Sequence, residues 1–164
     1  IVSASNGYDI AMIEIGGTIG DYENIPFLFA AKSLEAEVGT ENVCHIMITY
    51  LPVPSHIDEM KTKPTQLAIK LLRENGISPD FIFCRGKLPL DEPRKRKIER
   101  YANIKSDRVI SAPDVIGKGT ANTIYVATPS VNYSFIDFGA WIVSSISVLL
   151  LSLIFIKFKQ TRYP

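Results

Sequence analysis

Short apolar runs alternate with helix-like segments over the first two thirds of the chain, and this alternation constrains the fold most. The strand candidates are residues 9–15 (DIAMIEI), 43–50 (VCHIMITY), 81–84 (FIFC) and 108–111 (RVIS). Helical patterns separate them at residues 24–38, 64–75 and 92–101. Such alternation predicts right-handed crossovers and a parallel sheet. Nearly continuous apolar strands are typical of a sheet covered on both faces, so we expect a three-layer α/β domain.

Composition limits the class of protein. The chain has 164 residues, of which 46% are hydrophobic and 21% charged, which favours a folded domain over disorder. A net charge of +1 argues against a nucleic-acid binder, so any affinity for phosphate must come from local clusters. Cys44 and Cys84 lie in apolar runs and are expected to be buried, reduced thiols. His45 and His56 lack partners at metal-ligand spacing.

The sequence changes character after Val115. Residues 1–115 form the predicted domain, 116–134 read as an irregular linker, and 135–157 are almost wholly apolar and predict a helix. Residues 139–156 carry no charge, and the length of this segment is at the lower limit for a membrane-spanning helix. The tail at 158–164 is basic. Two interpretations stay open for the apolar segment, a membrane anchor or an out-of-frame extension. Because the first residue is Ile1, we expect the chain to start within a longer protein.

A carboxylate and a glycine-rich turn follow the first predicted strand. Glu14 stands near the strand end, and Gly16, Gly17 and Gly20 precede the first helix. Open α/β sheets bind ligands beyond the carboxyl ends of their strands, and glycines let a backbone approach a phosphate closely. Glu14 is therefore a candidate magnesium ligand, whereas an ordinary strand-to-helix turn explains the pattern equally well.

Two basic segments could bind an anion. Lys61 and Lys63 open the second predicted helix, where backbone N–H groups and the helix dipole favour a phosphate. Thr62, Thr65 and Gln66 add polar groups, although a solvated helix start has the same composition. The third helix carries five cations in residues 94–100, most of which we expect to face solvent. The described patterns include no nucleophile constellation, which favours phosphoryl chemistry based on positioning and electrostatics.

Four blocks together resemble CTP synthases. They are EIGGTIGDYENIPFLFA, PVPSHIDEMKTKPTQ, ISPDFIFCRGKLPLDEPRKRKIE and VISAPDV, and they occur in the order and spacing typical of that family. The resemblance covers residues 8–115 and is most specific at GGT-x-GD-x-E and KTKPTQ. It implies a P-loop NTPase-like fold in the synthetase (amidoligase) domain of a carbon–nitrogen ligase. The implied reaction begins when ATP phosphorylates the 4-oxygen of UTP, and ammonia from a separate glutaminase domain then displaces phosphate to give CTP.

The resemblance also assigns roles to residues. Glu14 matches the magnesium-binding glutamate, and Lys61 and Lys63 are the candidate catalytic residues. The positions that match UTP or CTP contacts are Asp21, Tyr22, Glu23, Lys61, Thr62, Lys63, Pro64, Thr65, Gln66 and Lys97. Arg85 and Val115 match positions near ATP. The family further implies Mg²⁺, a homotetramer, a cytoplasmic location and no nucleic-acid partner.

Departures from the family pattern lead to further expectations. Residues 57–59 read Ile-Asp-Glu where the family usually has Ser-Gly-Glu or Thr-Gly-Glu, so Asp58 puts a side chain and a charge beside the expected phosphate site. The P-loop and the glutaminase domain are not found in the printed sequence, and we expect this chain alone to be unable to make CTP. The alternative is a membrane-anchored, non-catalytic UTP/CTP-binding module held by residues 135–156.

Overall fold

The computed structural model describes Ser3, Ser5, Gly7, Tyr8, residues 10–114 and residues 151–157. The strands are β1 (Ile10–Ile15), β2 (Val43–Tyr50), β3 (Phe81–Gly86), β4 (Val109–Pro113) and β5 (Leu151–Lys157). The helices are α1 (Ile25–Val38), α2 (Lys63–Glu74) and α3 (Glu92–Ala102), and short 3₁₀ turns occupy Thr40–Asn42 and Ser106–Arg108. The strands and helices predicted before Val115 are all present, with β3 and β4 extending two residues further than expected.

The strands form one sheet in the order β1-β5-β2-β3-β4. β2, β3 and β4 pair in parallel, which confirms the α/β class and the parallel arrangement of these three strands. β5 is antiparallel to both β1 and β2 and lies between them, so β1 runs in the same direction as β2 without pairing with it. The carboxyl ends of β1 to β4 therefore meet at one edge of the sheet.

The core lies between the sheet and the three helices. One row of residues crosses the sheet in register and faces the helices: Ile15, Met47, Ile82 and Val109. Each helix adds a fully buried residue to the same cluster: Leu28, Ile69 and Ile98. The chain moves across the sheet in one direction from β1 to β2, β3 and β4. Because crossovers between parallel strands are right-handed, α1, α2 and α3 lie on the same face of the sheet. Within the described ranges, the expected third layer is therefore not formed.

Helix boundaries follow from local chemistry. The Asp91 side chain accepts a hydrogen bond from the Arg94 backbone N–H and caps α3, which ends at Asn103 in a left-handed conformation with φ 49°. α2 is followed by Gly76 with φ 79°, a conformation that glycine adopts without a steric penalty. These ends fix where each crossover turns back toward the sheet, and hence which loops reach its carboxyl edge.

The predicted apolar helix at 135–157 needs a correction. Residues 151–157 form strand β5 instead of a helix, while 135–150 lie outside the described residues. An apolar run gives no periodicity that separates a buried strand from a buried helix, and LSLIFIK has the branched and aromatic residues that suit a strand. Among the residues that the structure describes, no helix is long and apolar enough to cross a membrane. The linker at 116–134 and the tail at 158–164 also lie outside the described part.

Both cysteines are free thiols, as predicted; Cys84 is buried as expected, whereas Cys44 is only partly buried. Burial raises the pKa of Cys84 to about 12. The pKa of Cys44 is also raised to about 12, mainly by burial and further by the nearby Asp80 carboxylate. Neither thiol is therefore ionised near neutral pH.

Candidate functional site

Three connections meet at the carboxyl edge of the sheet: the β1–α1 turn, the β2–α2 loop and the β3–α3 loop. The β1–α1 turn approaches helix α2 at Gly20, which has φ +99° and lies against Leu71, eight residues after Lys63. A Cβ atom at Gly20 would lie 2.8 Å from Leu71 Cδ1, so a larger residue would push the turn away from α2. This glycine therefore lets the β1–α1 turn pack against the helix that begins with KTKPTQ.

The β1–α1 turn closes on itself. The Thr18 backbone N–H donates to Asp21 Oδ2 at 3.2 Å, and Asn24 Nδ2 donates to the Thr18 carbonyl at 2.8 Å. Tyr22 is 89% exposed, and Glu23 is also exposed. Asp21 thus shapes the turn, whereas Tyr22 and Glu23 present their side chains to solvent, where a ligand can reach them.

The KTKPTQ segment places two cations at the start of α2. Lys63 is the first residue of the helix and is exposed, followed by Pro64. Lys61 lies two residues earlier, with its backbone N–H donating to the Pro52 carbonyl at 2.9 Å and its side chain 37% exposed. Because a helix N-terminus carries partial positive charge, the two ammonium groups and the helix end favour an anion together.

The other polar side chains of this segment, those of Thr62, Thr65 and Gln66, make hydrogen bonds within the protein. Thr65 is fully buried, and its hydroxyl lies 2.9 Å from that of Thr49 in β2. Gln66 Nε2 donates to the buried Thr62 Oγ1 at 3.3 Å. The Thr65 hydroxyl therefore anchors α2 to the sheet, and only the exposed Lys63 and the partly exposed Lys61 and Gln66 offer side chains to a ligand.

Helix α3 is not uniformly solvated, although its sequence predicts a solvated basic face. Arg96, Lys97 and Arg100 are exposed, whereas the Arg94 side chain is 22% exposed. Arg94 contacts the β2–α2 loop, where its Nη2 donates to Glu59 Oε1 at 3.0 Å. Lys97 lies one helical turn further along, on the same side of α3 as Arg94.

Glu59 joins the two basic segments. Its Oε2 accepts from Lys61 Nζ at 3.0 Å while its other carboxylate oxygen accepts from Arg94. The hydrogen bond from Lys61, and then that ammonium's charge, hold the pKa of the Glu59 carboxyl below its usual range. The carboxylate thus stays ionised and balances part of the positive charge at this edge.

The loop before Lys61 has one residue in an unusual backbone conformation. Asp58 has φ 52°, and the Ile57 and Asp58 N–H groups both donate to the Pro54 carbonyl, at 3.1 and 3.0 Å. This left-handed conformation favours glycine. The sequence predicts that Asp58 alters the geometry of this loop, and the residue does have a positive φ.

Arg85 is at the end of β3, where its Nε donates to Asp114 Oδ1 at 2.7 Å. The Asp114 backbone N–H donates to the Gly86 carbonyl at 2.7 Å, which brings the ends of β3 and β4 together. Val115, predicted to lie near ATP with Arg85, is outside the described residues. The pairing fixes the direction of the Arg85 guanidinium at the carboxyl edge.

Glu14 lies apart from the cations. It is exposed on β1, in register with Leu153, and points to the face opposite Ile15 and the helices. The described residues contain no group of three His, Cys, Asp or Glu side chains able to hold a metal ion. A single carboxylate suits Mg²⁺ only when a substrate phosphate supplies further ligands. No hydrogen bond or ion pair within the described ranges joins Glu14 or residues 21–23 to residues 61–66.

Sequence reasoning missed three residues at this edge: Glu59, Arg94 and Asp114. Glu59 and Arg94 are 35 residues apart, and Arg85 and Asp114 are 29 apart, so no local pattern indicates either pair. The one readable signal is Asp91, three residues before Arg94, which is typical of a helix N-cap. It predicts the start of α3 but not the direction of the Arg94 side chain.

Comparison with known proteins identifies the family. Residues 1–128 match the family model described as CTP synthase N-terminus. The chain is 48% identical over 115 residues to a CTP synthase of Maridesulfovibrio salexigens, and 50% identical over 115 residues to one of Hydrogenobaculum sp.. A CTP synthase of Methanopyrus kandleri is 47% identical over 114 residues.

These alignments cover 70% of this chain in each case, but only 21%, 22% and 21% of the three relatives. The chain thus spans about a fifth of the length of the curated relatives that it matches. The matched model covers more than half of the chain, and it includes all of the candidate site residues. The chain belongs to the CTP synthase family and matches the N-terminal part of those proteins.

Proposed function

We propose that this chain carries the pyrimidine-nucleotide side of a CTP synthase site, with the triphosphate of UTP or CTP at the start of α2. The observation that carries the proposal is the placement of Lys61 and Lys63 at a helix N-terminus on the carboxyl edge of a parallel sheet. Ligands of open α/β sheets bind at this edge, and the helix N-terminus favours a phosphate.

The charge of a triphosphate suits this edge better than a single carboxylate does. Lys61, Lys63 and Lys97 supply three ammonium groups, while Glu59 neutralises part of the charge of Lys61. Lysine binds phosphate as a flexible point charge and tolerates several phosphate positions. We assign the contact with the nucleoside portion to Tyr22 and Glu23, and their exposure on the β1–α1 turn supports this.

The reaction belongs to the same proposal. In it ATP phosphorylates the 4-oxygen of UTP, and ammonia from a glutaminase domain replaces the phosphate to give CTP. Here Lys61 and Lys63 hold the UTP triphosphate and set the uracil ring in position, a contribution through orientation and charge. Glu14 would hold Mg²⁺ only together with oxygens of a bound phosphate, since it is a single carboxylate, and Arg85 would lie near ATP.

Further parts of the proposal come from the family. They are a P-loop NTPase-like, three-layer arrangement of the intact domain, a homotetramer and a cytoplasmic location. The parallel β2–β3–β4 sheet is compatible with the P-loop NTPase-like fold type, while the third layer would be completed by parts of the intact domain outside the described residues.

The test is binding of UTP and CTP by titration calorimetry to the chain and to a Lys61→Ala/Lys63→Ala double variant. Each lost charge-assisted contact should cost about 1.5–3 kcal/mol, which corresponds to a loss in affinity of about tenfold or more. The effect should shrink as salt rises, because the contacts are partly exposed.

Lys70→Ala is the matched control, since Lys70 is on the same helix, is 60% exposed and pairs only with Glu74 among the described residues, at 3.6 Å. It should bind UTP as the unchanged chain does. Equal affinity of the double variant and the unchanged chain would show that the triphosphate lies elsewhere.

A further inference from the structure

Arg94 makes contacts on both sides of the gap between α3 and the β2–α2 loop. Its Nε donates to the carbonyl of Met60 at 2.8 Å, and its Nη2 donates to Glu59 at 3.0 Å. Its Nη1 pairs with Asp91, the residue that caps α3. Each of the three guanidinium nitrogens thus has a protein acceptor, and the side chain ties the loop to the first turn of the helix.

These contacts reach Lys61 from two directions. Met60, the residue before it, is buried, with 6% of its surface exposed, and Arg94 binds its carbonyl. Glu59 is held by Arg94 through one oxygen and holds Lys61 Nζ through the other. The main chain and the ammonium group of Lys61 are therefore both placed by groups that Arg94 orients.

We propose that Arg94 is a positioning residue for the triphosphate site: it fixes the loop from Glu59 to Lys61 and does not itself contact the nucleotide. This inference rests on the proposed function, since it assumes that Lys61 binds phosphate. Three protein acceptors already occupy the guanidinium, and two of them, Asp91 and Glu59, balance its charge. An arginine bound in this way contributes through geometry more than through net charge.

A positioning role predicts that lysine cannot replace Arg94. An ammonium group is a single point, so Arg94→Lys keeps the charge but cannot bind Met60, Glu59 and Asp91 together. Arg94→Lys and Arg94→Gln should both weaken binding of UTP and of inorganic tripolyphosphate by roughly tenfold, the scale of one lost charge-assisted contact. Both probes should respond alike, because the loop acts on the phosphates and not on the base.

Arg96→Gln is the matched control for charge. Arg96 lies on the same helix, its side chain is 69% exposed, and it pairs with Glu92 at 4.0 Å. Its replacement removes the same charge and should change the dissociation constant by less than about twofold, because exposed charges are screened. In a Lys61→Ala background, Arg94→Gln should have little further effect, since the group that it positions is gone.

The experiment is calorimetric titration of all variants with UTP and with tripolyphosphate, with thermal unfolding measured in parallel so that titrations are made on folded protein. Wild-type affinity in Arg94→Lys, or equal losses in Arg94→Gln and Arg96→Gln, would show that only charge matters and would overturn the inference. A lowered Tm with unchanged affinity would reduce Arg94 to a structural role. If Lys61→Ala/Lys63→Ala binds UTP normally, the proposed function itself fails, and this inference fails with it.

Discussion

The two sides of the sheet are built in different ways. On one side, β2, β3 and β4 pair in parallel, and each is linked to the next by a single helix. On the other side, β1 pairs with β5 alone among the described strands; β5 comes from far along the chain and runs antiparallel to β1. β1 and β2 are consecutive strands in sequence, yet one strand position separates them, and β5 fills it.

Burial follows the same division. In β3, Ile82 is fully buried and Cys84 is 2% exposed. In β1, Ile10 is 50% and Met12 is 40% exposed; Ile15 at the carboxyl end is buried in the core, and Ile13 is partly buried against it. The parallel side thus has the packing that makes it the rigid support of the cationic loops, whereas the β1 side depends on a long-range pairing.

Truncating one isoleucine on each side of the sheet tests this difference in packing. The loss of unfolding free energy should be larger than in the other stability tests below. Ile82→Ala removes a fully buried side chain from between the sheet and the helices and should cost about 2–5 kcal/mol of unfolding free energy. Ile10→Ala makes the same chemical change on a half-exposed side chain and should cost less than about 1 kcal/mol. Urea denaturation of both variants measures the two values.

The two variants control for each other, since the starting and final residues are identical. Equal losses would mean that β1 is as well packed as β3 and would remove the contrast between the sides. A change in the slope of the denaturation curve for Ile82→Ala would indicate partial unfolding instead of a simple loss of packing.

Proline in the middle of β5 tests the pairing that joins β1 to the rest of the sheet. Ile154 is in register with Ile13 on one side and His45 on the other. Ile154→Pro removes a backbone donor from a strand with neighbours on both sides, which should cost about 1–3 kcal/mol. Hydrogen exchange should then rise in β1 and along the β5-facing edge of β2, while β3 and β4 stay protected.

Lys157→Pro serves as the comparison for that variant, because Lys157 is the last residue of β5 and pairs with Ile10 at the start of β1. It should affect exchange much less. Unchanged protection of β1 in Ile154→Pro would show that β5 does not hold β1 in solution.

The two sides also differ in how far sequence predicts them. For β2, β3 and β4, apolar strands, helices begun with proline near the first turn and the stop at Gly76 lie close together in sequence, and local propensity and packing agree. For residues 151–157, an apolar run gives no sign of period, and the pairing partners are more than 100 residues away. The helix predicted there was wrong because tertiary pairing decided between two conformations that the sequence allows.

The site shows the same limit. The positions of Lys61, Lys63 and Arg85 at strand ends follow from the order of strands and helices, which sequence predicts well. The order of strands and helices does not predict the ion-pair partners Glu59 and Asp114. Ion pairs between residues 29 or 35 positions apart in sequence depend on the final packing. Thr65 is a predicted ligand contact whose hydroxyl has a partner within the protein. Its hydroxyl lies within hydrogen-bond distance of Thr49 in the core.

The smallest expected effect concerns Asp58, a non-glycine residue with a positive φ on the well-packed side. Asp58→Gly should raise the unfolding free energy by up to about 1 kcal/mol, because glycine adopts φ 52° without a Cβ clash. The gain is limited, since glycine also has more freedom in the unfolded chain. Asn103→Gly makes the same test at φ 49°, at the end of α3, and should give a similar or smaller gain.

Asp58→Asn separates conformation from charge: it keeps a residue that tolerates the left-handed region and should leave stability nearly unchanged. A loss of stability in Asp58→Gly would mean that the Asp58 side chain stabilises the loop by more than its backbone strain costs.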